Sequence, residues 1–107
     1  MKRMALFLVA ALLSYPLVAD AEDVQFTIIN DTDSPLVGFY VTHSKTDQWG
    51  ANLVPDGQFL AVGSQIGVII DDGRTTCLYD IRADFQDGGN LEDYEINVCE
   101  LDSYTFQ

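Results

Sequence analysis

Arg74-Thr75-Thr76-Cys77-Leu78-Tyr79-Asp80-Ile81-Arg82-Ala83-Asp84-Phe85 alternates along its whole length, with Cys77, Tyr79, Ile81, Ala83 and Phe85 on one face and Leu78, Asp80, Arg82 and Asp84 on the other. A period of two marks a strand with one buried face. Gln86-Asp87-Gly88-Gly89-Asn90 then reads as a loop, and Leu91 to Leu101 as the returning strand. If the loop is centred on Gly88, residues equidistant from it face one another, and Cys77 and Cys99 are such a pair. The same register sets Ile81 against Glu95 and Tyr79 against Asn97, and leaves Tyr94, Ile96 and Val98 on the wrong face. A slip of one residue flips every side chain, so a bulge or an off-centre loop is expected, with Gly88-Gly89 the low-cost place for it. The register stays open by one residue.

Outward from this hairpin, the chain is a series of short β-like runs separated by turn residues, without helical periodicity. Val24 to Asn30 alternates, Asn30 to Pro35 is a turn cluster, and Leu36 to Thr42 is rich in β-branched and aromatic residues. These two runs are predicted to pair as a hairpin. Trp49 to Val54, Gln58 to Val62 and Ile66 to Ile70 complete the set, separated by Pro55-Asp56-Gly57 and Gly63-Ser64-Gln65, with the turn Asp71-Asp72-Gly73 after the last. About seven strands at this spacing predict an all-β fold, a small antiparallel two-sheet β-sandwich, with a small closed barrel as the alternative. The expected core is Phe26, Ile28, Phe39, Val41, Trp49, Leu53, Leu60, Ile66, Val68, Ile70, Tyr79, Ile81, Ile96 and Val98.

The first 21 residues carry a different signature. Lys2 and Arg3 precede the apolar run Met4 to Leu13, and Ala19-Asp20-Ala21 places small residues before a cut at Glu22. This is the pattern of a cleavable secretory signal peptide, with a cut after Ala19 as the near alternative. The apolar run falls short of the about 20 residues that span a bilayer, so no membrane insertion is expected after cleavage. Residues 22–107 form one domain, expected in the periplasm or secreted. The cut removes Lys2, Arg3 and Asp20, so the formal charge moves from −12 to −13 and only Lys45, Arg74 and Arg82 remain as strong cations. Such a chain repels phosphate backbones and anionic lipid, which makes nucleic acid a poor partner and a basic protein surface a better one.

An exported chain with two cysteines favours a disulfide, Cys77–Cys99. Closing a loop of about 22 residues contributes roughly 3 kcal/mol, a large share for a domain this small. Zinc or redox chemistry fits poorly, because the spacing is not C-x-x-C and the one histidine, His43, is distant.

The candidate chemistry is thin. Asp84, Asp87, Asn90 and Glu92 on the 84–93 loop, with Asp71 and Asp72 on the neighbouring turn, offer the hard oxygens that calcium prefers. They do not follow the EF-hand pattern, and Asp and Gly are also ordinary turn residues. Trp49 and Tyr40 could form an aromatic binding surface, although pinning a loop is the better reading of Trp49-Gly50. His43 beside Ser44 or Asp47 lacks a nucleophile elbow or an oxyanion pattern. No catalytic residues are assigned, and the expectation is a non-enzymatic domain that binds a protein partner or serves the envelope, with a calcium-binding module as the alternative.

Phe26-x-Ile28-x-Asn30, Phe39-Tyr40-Val41-Thr42, Trp49-Gly50-x-Asn52-Leu53, Cys77-Leu78-Tyr79-Asp80-Ile81-Arg82-Ala83, Asp87-Gly88 and Val98-Cys99-Glu100-Leu101 together resemble a family of short exported proteobacterial proteins of unknown function. The resemblance covers nearly the whole mature chain. It implies a Gram-negative periplasmic or secreted setting and the Cys77–Cys99 bridge. Some members bear the label argininosuccinate lyase, a large helical enzyme that nothing in these residues resembles. The family supplies no active-site residues to carry over.

Overall fold

Tyr79, Ile81, Ala83 and Phe85 all turn inward from one strand and are buried, as their period of two predicts. A computed structural model describes residues 23–107, so the predicted signal peptide and its two cut sites lie outside the described residues. Six strands form: β1 (Val24–Asn30), β2 (Leu36–His43), β3 (Gln65–Ile70), β4 (Leu78–Phe85), β5 (Asn90–Asn97) and β6 (Ser103–Phe106), with a 3₁₀ turn at Val98–Glu100 before β6. They make two three-stranded sheets in the orders β3-β1-β6 and β2-β4-β5, a small sandwich without barrel closure.

Aromatic rings join the two sheets. Phe26 packs on Phe39 at 6.5 Å, Phe39 on Phe106 at 6.0 Å and Phe85 on Phe106 at 6.3 Å, all edge to face. Each such pair adds about 0.5–1.5 kcal/mol beyond the area it buries. The buried core includes nine of the expected residues and adds Leu36, Val54, Ala83, Phe85 and Phe106. Val41 and Ile96 are only partly buried. Three expectations are corrected: Trp49 is half-buried, and Leu53 and Ile66 stay 42% and 45% exposed.

The pairing also differs. β1 and β2 are not a hairpin: β1 lies between β3 and β6, whereas β2 pairs with β4 in the other sheet. Residues 31–35 are an arch between sheets, so the inward faces of β1 and β2 oppose each other across the core. Asn30 holds this arch. Its buried amide donates to the carbonyls of Ser34 (2.9 Å) and Leu60 (3.0 Å), and its Oδ1 accepts from the backbone N–H and the hydroxyl of Thr32. Neither 49–54 nor 58–62 is a strand, and Leu60 makes only an isolated bridge to Leu36. β6 lies beyond the expected returning run Leu91 to Leu101 and was not anticipated. It crosses to the first sheet and pairs parallel to β1.

In the β4–β5 hairpin both expected devices occur, but not at Gly88-Gly89. Arg82↔Glu92 and Asp84↔Asn90 centre the loop on Asp87, and a bulge opposite Asp80 shifts the register before Tyr79↔Ile96. The bulge carries Glu95 at φ 55°, and the Glu95 N–H donates to the Asp80 carboxylate at 3.0 Å. A left-handed non-glycine residue costs about 1–2 kcal/mol, which a charge-assisted hydrogen bond offsets. Past the bulge, Ile96 faces inward opposite Tyr79. Val98 donates to the Cys77 carbonyl at 2.9 Å, and Cys99 sits in the 3₁₀ turn bonded to Cys77, with Cα atoms 5.4 Å apart. The bridge therefore joins offset rather than directly opposite residues.

Two tyrosine hydroxyls, of the buried Tyr79 and the partly buried Tyr104, donate to carboxylates: Tyr79 to Asp72 at 2.7 Å and Tyr104 to Asp93 at 2.6 Å, the second bond linking the two sheets. Burial, then the carboxylate, raises both phenols, with Tyr104 pushed up to about 12. A folded pKa above the unfolded value of about 10 means that stability is complete below pH 10 and declines as pH rises toward 12, where only the unfolded chain releases protons. Thermal melts from pH 9 to 12 should show this decline, and Tyr104→Phe should flatten it. Equal slopes for the two proteins would disprove the assignment.

Candidate functional site

The two sheets manage their free edges differently. Residues 44–64 strap the free edge of β2. Leu53 N–H donates to the Phe39 carbonyl (2.8 Å), Phe39 N–H to Asn52 Oδ1 (2.9 Å), and Leu36 and Leu60 exchange two backbone bonds. Gly50 belongs to the strap because a Cβ there would stand 2.9 Å from the Val41 carbonyl oxygen. This accords with a pinning role for the Trp49-Gly50 pair.

The outer edge of β3 has no such cover among the described residues. Asn30 N–H donates to Ser64 on the β3 side, and Thr27 N–H donates to Asp102 on the β6 side. The antiparallel alternation then directs the backbone groups of Ile66, Val68 and Ile70 toward β1, and those of Gln65, Gly67 and Ile69 toward the open edge. β3 contains no charge, proline or bulge, the usual devices that blunt an edge. Beside it lies an apolar cleft of about 220 Å³ with Ile28 and Phe39 at its floor and Leu53, Val54, Ile66 and Val68 around them. Leu53 and Ile66 are exposed at this cleft, and Ile69 on the other face of β3 is 54% exposed.

The carboxylates singled out for calcium are engaged separately. Asp84 and Glu92 both accept from Arg82, at 2.8 and 3.0 Å, on the outer face of the β2-β4-β5 sheet. Glu92 also accepts from the Tyr94 hydroxyl. Asp87 caps its own turn by accepting from the Gly89 N–H, and Asn90 begins β5. Asp72 accepts from Tyr79 and from the Arg74 N–H. Asp71 lies against Asp23, whose carboxyl is raised first by their shared hydrogen bond and then by their repulsion. Among the described residues no group of three or more His, Cys, Asp or Glu side chains is placed to hold a metal ion.

Tyr40 lies opposite Arg82 in the sheet, with its ring over the space a Cβ on Gly38 would need. Trp49 is half-buried, and neither aromatic lines the apolar cleft beside β3. The Ser44 hydroxyl beside His43 is committed to Asp80 at 2.8 Å.

Sequence reasoning passed over the β3 edge by placing Ile66 in the core. The available signal was Ile66-Gly67-Val68-Ile69-Ile70 itself, an uncharged β-rich run without a gatekeeper. Among the described residues no helix is long and apolar enough to cross a membrane. Comparison with protein-family models, curated proteins and solved structures finds no match to this chain.

Proposed function

We propose that the mature chain is a non-catalytic binding domain of the periplasm or the extracellular space, which takes an extended segment of a basic protein partner as an added strand on β3. The observation that carries this reading is the open edge at Gln65, Gly67 and Ile69 beside the apolar cleft. Backbone pairing supplies affinity in this mode, and pockets for alternate side chains supply selectivity. The leader pattern and the disulfide support the compartment. The mature chain's formal charge of −13 favours a cationic partner over a second copy of itself, and speeds encounter at low salt.

Gly67→Pro is the discriminating variant. Its backbone N–H points to the open edge, and nothing lies within 4 Å of a Cβ built there. A proline should therefore leave the β1 ladder intact while removing an outward donor. In pull-downs from envelope extract at low salt, wild type should retain a partner that elutes as salt rises. Gly67→Pro, with an unchanged circular dichroism spectrum, should lose it. Repeated empty pull-downs with wild type, or equal capture by the variant, would refute the proposal.

A further inference from the structure

Of the three strong cations beyond residue 22, Arg82 is neutralised by Asp84 and Glu92. The other two, Lys45 and Arg74, line one cleft together with the chain's only histidine, His43. This cleft, of about 560 Å³, opens between the end of β2 and the β3–β4 loop. Thr75 and Thr76 add hydroxyls to its wall, while the hydroxyl of Ser44, also at the cleft, is held by Asp80. Beyond residue 22, the two strong cations other than Arg82 therefore meet at one cleft, and converging like charges favour a ligand of opposite sign.

Lys45 strengthens the point. It sits at φ 73°, in the left-handed region where glycine or asparagine is the relaxed choice. Its ammonium is exposed and makes no ion pair among the described residues. Arg74 is held near the cleft by its own turn: Asp72 accepts its N–H at 3.1 Å and stands 3.7 Å from Nε, with the Arg74 side chain still 49% exposed. So loose and exposed a pair leaves the guanidinium's donor fork available.

We infer that this cleft binds a small ligand through an oxyanion group, a phosphate or a sulfate, with Lys45 and Arg74 supplying charge and Thr75 and Thr76 supplying hydroxyl donors. The cleft is larger than a bare oxyanion and falls in the range of organic-ligand sites. The ligand's source is either free inorganic anion or a phosphorylated organic molecule. The inference is independent of strand addition at β3, whose residues do not line this cleft.

The exported chain is titrated with sodium phosphate, sodium sulfate and glucose 6-phosphate at constant ionic strength, following the His43 imidazole resonances by NMR. Saturable shifts below ~10 mM are expected. Glucose 6-phosphate binding about tenfold more tightly than the inorganic anions identifies a phosphorylated organic ligand, and equal affinities identify the free oxyanion. Lys45→Asn removes the charge while easing the backbone, so it should melt no lower than wild type yet bind about tenfold more weakly. Arg74→Gln, on an exposed turn, should weaken binding to a similar degree. Shifts that do not saturate with any of the three probes, or binding that survives in both variants, would overturn the inference.

Discussion

Asn30→Asp is expected to destabilise the domain by about 4 kcal/mol at neutral pH. The substitution is nearly isosteric, so packing changes little, but it turns the Nδ2 donor into an acceptor facing the Ser34 and Leu60 carbonyls. One oxygen keeps the two Thr32 donors, but the other faces two carbonyls, and a buried charge without a cationic partner costs about 3–5 kcal/mol, against a total stability of roughly 5–15 kcal/mol. The sign with pH follows from linkage. Burial and the two carbonyls raise the folded pKa of the introduced carboxyl above the unfolded value of about 4. Its stability deficit is therefore smallest below pH 4 and grows as pH rises through the folded pKa. Urea titrations of variant and wild type at pH 7 and near pH 4 measure both effects. A loss below about 1 kcal/mol at pH 7 would show that the arch does not depend on this amide.

Removing the bridge with Cys77→Ser and Cys99→Ser together is expected to cost about 3 kcal/mol. The disulfide closes a separation of 22 residues around the β4–β5 hairpin. Its main effect is to restrict the unfolded chain, because the hairpin ladder and the Val98 to Cys77 hydrogen bond already hold the two ends in the folded state. At about 4–8 °C per kcal/mol for a domain of this size, melting should fall by roughly 12–24 °C. Reductant added to wild type should produce a similar drop, since Cys99 is exposed. A drop of less than about 4 °C in both experiments would mean that the unfolded chain keeps the hairpin without the bridge.

The fold class could be read from local pattern. Alternation over Val24 to Asn30 matched β1 end to end, and alternation over Arg74 to Phe85 found β4, although the strand begins only at Leu78. The candidate sites were far less legible. Acidic residues were visible as a density along the chain, yet Arg82, Tyr79 and Gly89 engage several of them individually, and a one-dimensional pattern does not reveal which cation or hydroxyl reaches which carboxylate. Ile66 and Leu53 looked like core for the same reason: apolar character is a residue property, but exposure depends on what the chain lays over a strand.

Read alone, the sequence determined the period-two faces, the turn positions and the proximity of Cys77 to Cys99, because each depends on neighbours along one strand or one hairpin. Tertiary structure decided which strands share a sheet. A turn such as 30–35 serves a hairpin or an arch equally well. Here the arch prevails: β3 and β6 occupy the two sides of β1, and Asn30 ties the turn to Leu60 from across the fold. Tertiary structure also chose Glu95 over Gly88-Gly89 for the bulge. A partner was waiting there in Asp80, and the extra residue turned Ile96 and Val98 inward to meet the core.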